Sequence, residues 1–156
     1  SGHADAFVAH LGATGLVDWS RSFGGLYYDR ANAVALDQQG NAYVTGFFME
    51  TVSFFGTELD VADSSIDGFV LSLDPAGALR WIVQLGGADD QQGFGIAVRS
   101  GTVWVAGRFE SRMSAGAQVA TSAGAHRSAS GRHSPFTASR RQSPSHSSPH
   151  GAPSSP

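Results

Sequence analysis

DGFVLSLDPAGALRWIVQLGG, residues 67–87, decides the fold. Phe69, Leu71 and Leu73 alternate with Val70 and Ser72, the period-two pattern of a half-buried strand. Leu79, Trp81, Val83 and Leu85 form one face of a second strand. Between the two runs, Asp74-Pro75-Ala76-Gly77 reads as a tight turn, with proline presetting φ and glycine accepting a positive one.

The same stretch occurs earlier in the chain. Asp5-Ala6-Phe7-Val8 precedes Asp67-Gly68-Phe69-Val70 by 62 positions. Gly15 and Gly77, Trp19 and Trp81, and the pairs Gly24-Gly25 and Gly86-Gly87 keep that offset. Ala33-Val34-Ala35-Leu36 then aligns with Gly95-Ile96-Ala97-Val98. One residue is lost in the following turn, after which Tyr43-Val44-Thr45-Gly46 aligns with Trp104-Val105-Ala106-Gly107, and Phe48 with Phe109. Periodicity on this scale is the mark of a repeat architecture, in which each unit hides its apolar face against neighbours.

Strands are expected at 31–37, 42–48, 67–73 and 78–85, one four-stranded blade of a propeller. Residues 5–23 supply the outer half of the preceding blade and 93–109 the inner half of the next. Asp37-Gln38-Gln39-Gly40-Asn41 is the turn between the strands 31–37 and 42–48. In 31–37, Ala31, Ala33 and Ala35 make a small face and Val34 and Leu36 a large one, which suits a crowded innermost position. The segment 51–64 is read as an insertion forming an extra hairpin, and 111–125 as the remnant of such an insertion. The expected fold is all-β: a partial propeller of antiparallel blades over 1–110, with repeat copies at about 5–66 and 67–125, and a disordered tail over 126–156. That tail has one Phe and no Val, Ile or Leu, too little apolar surface to offset its chain entropy. Either it is a Ser- and Pro-rich linker or it is out-of-frame sequence where another repeat is due.

Composition narrows the class of function. The chain of 156 residues is 41 % hydrophobic and 15 % charged, with 20 glycines, no cysteine and no lysine. No apolar run is long enough to span a membrane as a helix. Without cysteine there is neither a disulfide framework nor a thiolate metal site. All 13 acidic residues lie between Asp5 and Glu110 beside five arginines, giving this segment a net charge of −8; the remainder carries +5. An acidic body disfavours nucleic-acid binding.

These residues resemble the bacterial seven-bladed β-propeller repeat, abbreviated SBBP. Its D-x-F-V, G-x-x-x-W, G-G, D-x-x-G-N and x-Y-V-T-G elements correspond to Asp5–Val8, Gly15–Trp19, Gly24-Gly25, Asp37–Asn41 and Ala42–Gly46. The second copy departs from it where Arg99-Ser100-Gly101-Thr102 replaces the D-x-x-G-N turn and Trp104 replaces the tyrosine. The resemblance implies propeller blades in large secreted or surface-attached bacterial proteins, hence an extracellular or cell-surface location. It implies no catalytic residues, and such a fold hosts unrelated functions.

Candidate sites are few. Asp89-Asp90 would offer oxygens to calcium, but calcium takes six to eight ligands and the D-x-D-x-D-G spacing is missing, so a solvated turn is the preferred reading. Asp37 and Asp74 read as carboxylates that bond nearby turn amides. The six histidines lack H-E-x-x-H spacing, and no G-x-S-x-G elbow occurs. The glycine pairs precede no helix, so they read as turn glycines rather than phosphate loops. The tryptophans, at repeat positions inside strands, read as blade-to-blade packing. Tyr27 and Tyr28 lie in a loop and do not recur, which makes them, with Asp89 and Asp90, the candidate binding surface.

The expected function is a non-enzymatic scaffold that binds a protein or glycan, without catalytic residues, cofactor or nucleic-acid partner. Its neighbours would be the other blades of a longer chain or further copies of itself. Two alternatives stay open: a truncated or frameshifted product without independent function, and part of a propeller enzyme whose active site lies on other blades. Fewer than two blades leave open faces and strand edges, so poor solubility or loose packing is expected of the isolated chain.

Overall fold

The computed structural model describes residues 3–61 and 65–122. They are all-β: twelve strands and, among the described residues, no helix. The expectation of disorder over 126–156 falls outside the described residues.

Four strands make the central antiparallel meander: β3 (Arg30–Leu36), β4 (Ala42–Met49), β7 (Ile66–Leu73) and β8 (Leu79–Ala88). These are the four strands expected of one blade, with ends shifted by up to three residues. Before them lies the hairpin of β1 (Ala6–Leu11) and β2 (Val17–Phe23). After them comes the hairpin of β9 (Gln91–Arg99) and β10 (Thr102–Phe109).

The two copies share irregularities as well as strands. The β1–β2 ladder shifts register between His10 and Leu11, and the β7–β8 ladder shifts at the equivalent Ser72 and Leu73. Where β3 pairs with β4, Asn32 is passed over; where β9 pairs with β10, the equivalent Phe94 is passed over. Opposite each bulge stands a glycine that a side chain would displace. A Cβ on Gly46 would lie 1.8 Å from the Arg30 carbonyl oxygen, and one on Gly107 would lie 2.0 Å from that of Gln92. Bulges repeated in this way are parts of the unit, not defects.

The segment 51–64 does form a hairpin, β5 (Val52–Phe54) with β6 (Thr57–Leu59). The second copy forms the same hairpin as β11 (Arg112–Ala115) with β12 (Gln118–Thr121). It is thus a unit of the repeat rather than an insertion. Its role shows in the second copy, where β11 pairs antiparallel with the outer strand β8 and extends the sheet to six strands, in the order β12-β11-β8-β7-β4-β3. In the first copy the corresponding link to β2 is the single bridge Gly24–Ser53.

That docking explains the glycine pairs and corrects their reading as turn residues. Gly86 and Gly87 lie inside β8, and neither they nor Gly24 and Gly25 have positive φ. A Cβ on Gly24 would meet the Asp5 carboxylate at 2.4 Å, and one on Gly86 would meet that of Asp67 at 2.5 Å. A Cβ on Gly25 would meet the Thr51 carbonyl oxygen at 2.4 Å, and one on Gly87 that of Arg112 at 2.0 Å. The first glycine makes room for the aspartate of D-x-F-V, and the second lets the hairpin of the same copy approach.

The core sits between β2, the central meander and the β5–β6 hairpin. Phe23, Phe48, Phe54 and Phe69 are buried with ring centroids 4.8–5.7 Å apart, over Val44, Val52, Leu71 and Leu73. Each such side chain contributes about 1.5–3 kcal/mol by leaving water. Blade-to-blade packing by tryptophan is realised at Trp19, whose indole N–H donates to the Pro75 carbonyl at 2.9 Å while its ring covers Gly77. Arg21 adds bonds to the carbonyls of Gly77 and Ala76 at 2.8 and 3.2 Å. One strand thus grips the turn of the next meander. Trp81 leans on Tyr43 with centroids 5.9 Å apart, whereas Trp104 is largely exposed.

Candidate functional site

The candidate residues occupy equivalent loops, each joining the outer strand of one unit to the inner strand of the next. Tyr27 and Asp89 stand at one repeat position, Tyr28 and Asp90 at the following one. The third member of each loop is buried and holds it. Asp29 accepts the N–H of Gly25 at 2.7 Å and that of Met49 at 3.4 Å. At the equivalent position Gln91 donates to the carbonyls of Ala88 at 2.8 Å and Arg112 at 3.3 Å. Burial pushes the Asp29 carboxyl up from its ordinary value; the two N–H groups oppose this and the charge of Asp5 adds to it.

Above these anchors the loops differ. In the first, the Asp29 N–H donates to the Ala4 carbonyl at 2.8 Å, and Ala4 bridges to Tyr28, so the segment before β1 lies against the loop. His3 stacks on Tyr28 with ring centroids 4.9 Å apart and stands 6.3 Å from Tyr27. Leu26, Tyr27 and Tyr28 are all exposed. The result is a small raised aromatic surface on a fixed base. Sequence reasoning found the two tyrosines and missed His3 and Leu26; Leu26, an apolar residue beside them in a loop, was the available signal.

The second loop is polar. Asp89 takes a positive φ of 63° and accepts a hydrogen bond from the Ser111 hydroxyl. The Asp90 carboxylate pairs with Arg108 at 3.4 Å, and Arg108 reaches Glu110 at 3.2 Å. The Asp90 carbonyl accepts the Glu110 N–H at 2.9 Å. These exposed pairs add little stability but orient the carboxylates toward their neighbours. Among the described residues, no three of His, Cys, Asp and Glu gather as a metal-ligand group.

Asp37 and Asp74 are the turn-capping residues the sequence suggested. Asp37 accepts from the N–H groups of Gln39 and Asn41 at 3.0 and 2.9 Å, the Asn41 amide at 2.8 Å and the Tyr43 hydroxyl at 3.1 Å. The Asn41 amide foremost, then the other donors, hold its carboxyl below the usual value against a weaker opposing effect of desolvation. Asp74 accepts from Ala76 and Ala78 at 2.9 and 2.8 Å.

One four-stranded antiparallel meander, flanked by hairpins that repeat its bulges and glycine pairs, is the pattern of a β-propeller repeat. Residues 18–46, from β2 through β4, match the family described as SBBP, beta-propeller repeat. No curated protein and no solved structure matched the chain.

Proposed function

We propose that the chain is a non-enzymatic propeller scaffold whose outer-to-inner loops bind a glycan or protein, as a surface module of a larger secreted bacterial protein. The supporting observation is the Leu26-Tyr27-Tyr28 surface with its stacked His3. Tyrosines bring large apolar faces with a polar tip and little rotamer entropy to lose, a combination favoured in recognition surfaces. Their base is pre-formed through Asp29, so little ordering is required on binding.

The test presents the full chain to an immobilised panel of neutral and acidic oligosaccharides and to bacterial envelope extract. Retention of one glycan or one envelope protein, reduced at least tenfold by the double substitution Tyr27→Ala and Tyr28→Ala with an unchanged melting temperature, supports the reading. Retention that survives the double substitution, or none at all, overturns it.

A further inference from the structure

The intact meander shows what the two flanking hairpins lack. Its halves meet where β4 pairs antiparallel with β7, in the register Ala42 to Leu73, Val44 to Leu71, Gly46 to Phe69 and Phe48 to Asp67. By the repeat, β10 is the counterpart of β4 and β1 the counterpart of β7. Each pairs with one strand only, so among the described residues each keeps a free edge. Exposure at equivalent positions measures the difference. Phe69 and Leu73 are 0 % exposed, but Phe7 and Leu11 are 71 % and 54 % exposed. Tyr43 and Val44 are 5 % and 0 % exposed, against 53 % and 36 % for Trp104 and Val105.

Beside the free edge of β1 is a cleft of about 470 Å³, walled by Phe7, Leu11, Trp19, Val34 and Leu36. Val34 and Leu36 are exposed there, while their counterparts Ile96 and Val98 are half-buried. The cause is visible within the chain: β9 leans on the preceding meander, where the Asn32 amide donates to the Gly93 carbonyl at 2.7 Å and Gly93 fits closely over Thr45. Among the described residues, no strand does the same for β3.

We propose that a second copy of this chain occupies the cleft. The β9–β10 hairpin of one copy enters it, and β10 pairs antiparallel with β1 of the next copy in the register Val103 to Leu11, Val105 to Ala9, Gly107 to Phe7 and Phe109 to Asp5. The two hairpins together make one four-stranded blade. The occupant has to bring an inner hairpin with the small-and-large alternation of β3–β4, and β9–β10 is the copy of β3–β4 this chain carries. The same register sets Trp104 against Trp19, as Tyr43 lies against Trp81 within the meander. The contact is head-to-tail, so it either closes into a ring or runs on as a filament.

The chain has no cysteine, which makes the register directly testable. The single variants Ala9→Cys and Val105→Cys are purified as full chains, mixed and oxidised. Val8→Cys mixed with Val105→Cys is the control, one residue out of register and facing the other side of the sheet. The proposal expects a disulfide between positions 9 and 105 in peptide mass spectra, at least tenfold over the control. It also expects a wild-type sedimentation mass of two or more times 16.2 kDa. Equal cross-linking in both mixtures would show non-specific clumping and overturn it. So would a species of 16.2 kDa that persists to high concentration without the 9–105 bond, the result expected if other residues of the same chain cover β10.

Discussion

The central meander and the hairpins beside it are built from the same repeat yet live in different surroundings. Phe69 is enclosed by two phenylalanine rings, Phe23 and Phe54, and by the strands on either side of it; Phe7, its copy, lies open on an edge strand. Leu73 and Leu11 differ in the same way. The residues are alike and the backbone is alike, down to the shared bulges. Burial in a repeat protein is therefore set by which neighbours are present, and the repeat pattern specifies only the capacity for it.

The largest expected effect breaks this comparison open. Phe69→Ala should cost about 3–5 kcal/mol, since it removes a fully buried ring from a cluster that cannot collapse around the gap. Phe7→Ala, measured in urea at concentrations where the chain is monomeric, should change stability by no more than about 0.5 kcal/mol. Equal losses at the two positions would mean that β1 is covered in solution. A Phe7→Ala cost that grows with protein concentration would place that cover on another copy.

A second, smaller contrast concerns the glycines. Gly87→Ala forces a methyl group to within 2.0 Å of the Arg112 carbonyl oxygen, a backbone atom that moves only if the β11–β12 hairpin lifts from β8. A loss of about 1–3 kcal/mol is expected, with faster amide hydrogen exchange confined to residues 112–121. Gly95→Ala meets nothing within 4 Å and has no positive φ, so stability should hold or rise by about 0.5 kcal/mol through the stiffer unfolded chain. If both substitutions behaved alike, the close approach of the hairpin would not be what position 87 requires.

Much of this organisation was legible in the sequence because its signals are local. Alternation in 67–73, the turn chemistry of Asp74–Gly77 and the fixed spacing of tryptophan and glycine suffice to place the main strands and to show that they recur. The β5–β6 hairpin was harder to recognise as a repeated element. Val52-Ser53-Phe54 and Met113-Ser114-Ala115 share only serine, because one copy packs into the phenylalanine cluster and the other joins a sheet edge. The glycine pairs were misread for a related reason. A turn glycine and a close-approach glycine are the same letter, and only the partner that would collide, Thr51 or Arg112 across the interface, separates them. Of the candidate surface, the tyrosines were visible as residues that do not recur; the stacking of His3 on Tyr28 depends on how the preceding segment crosses the loop.

The smallest expected effect separates the two inner turns, which solve one problem by different chemistry. In the first copy the Asp37 carboxylate gathers two N–H groups, an amide and a hydroxyl. In the second, Ser100 and Gly101 take positive φ values of 50° and 76° and make a two-residue turn from backbone conformation alone. Asp37 is held below its ordinary value of 3.8, so its stabilising contribution is present at neutral pH and is lost as pH falls through the lowered value. Asp37→Asn should therefore melt below the wild type at pH 7, and the gap should close in strong acid, where the wild-type carboxyl is also neutral. Amide exchange should quicken in acid at residues 38–41 but not at 100–102, apart from the intrinsic dependence common to all amides. A gap that stayed constant with pH would mean that the Asp37 charge contributes nothing, and that carboxylate shape alone holds the first turn as geometry alone holds the second.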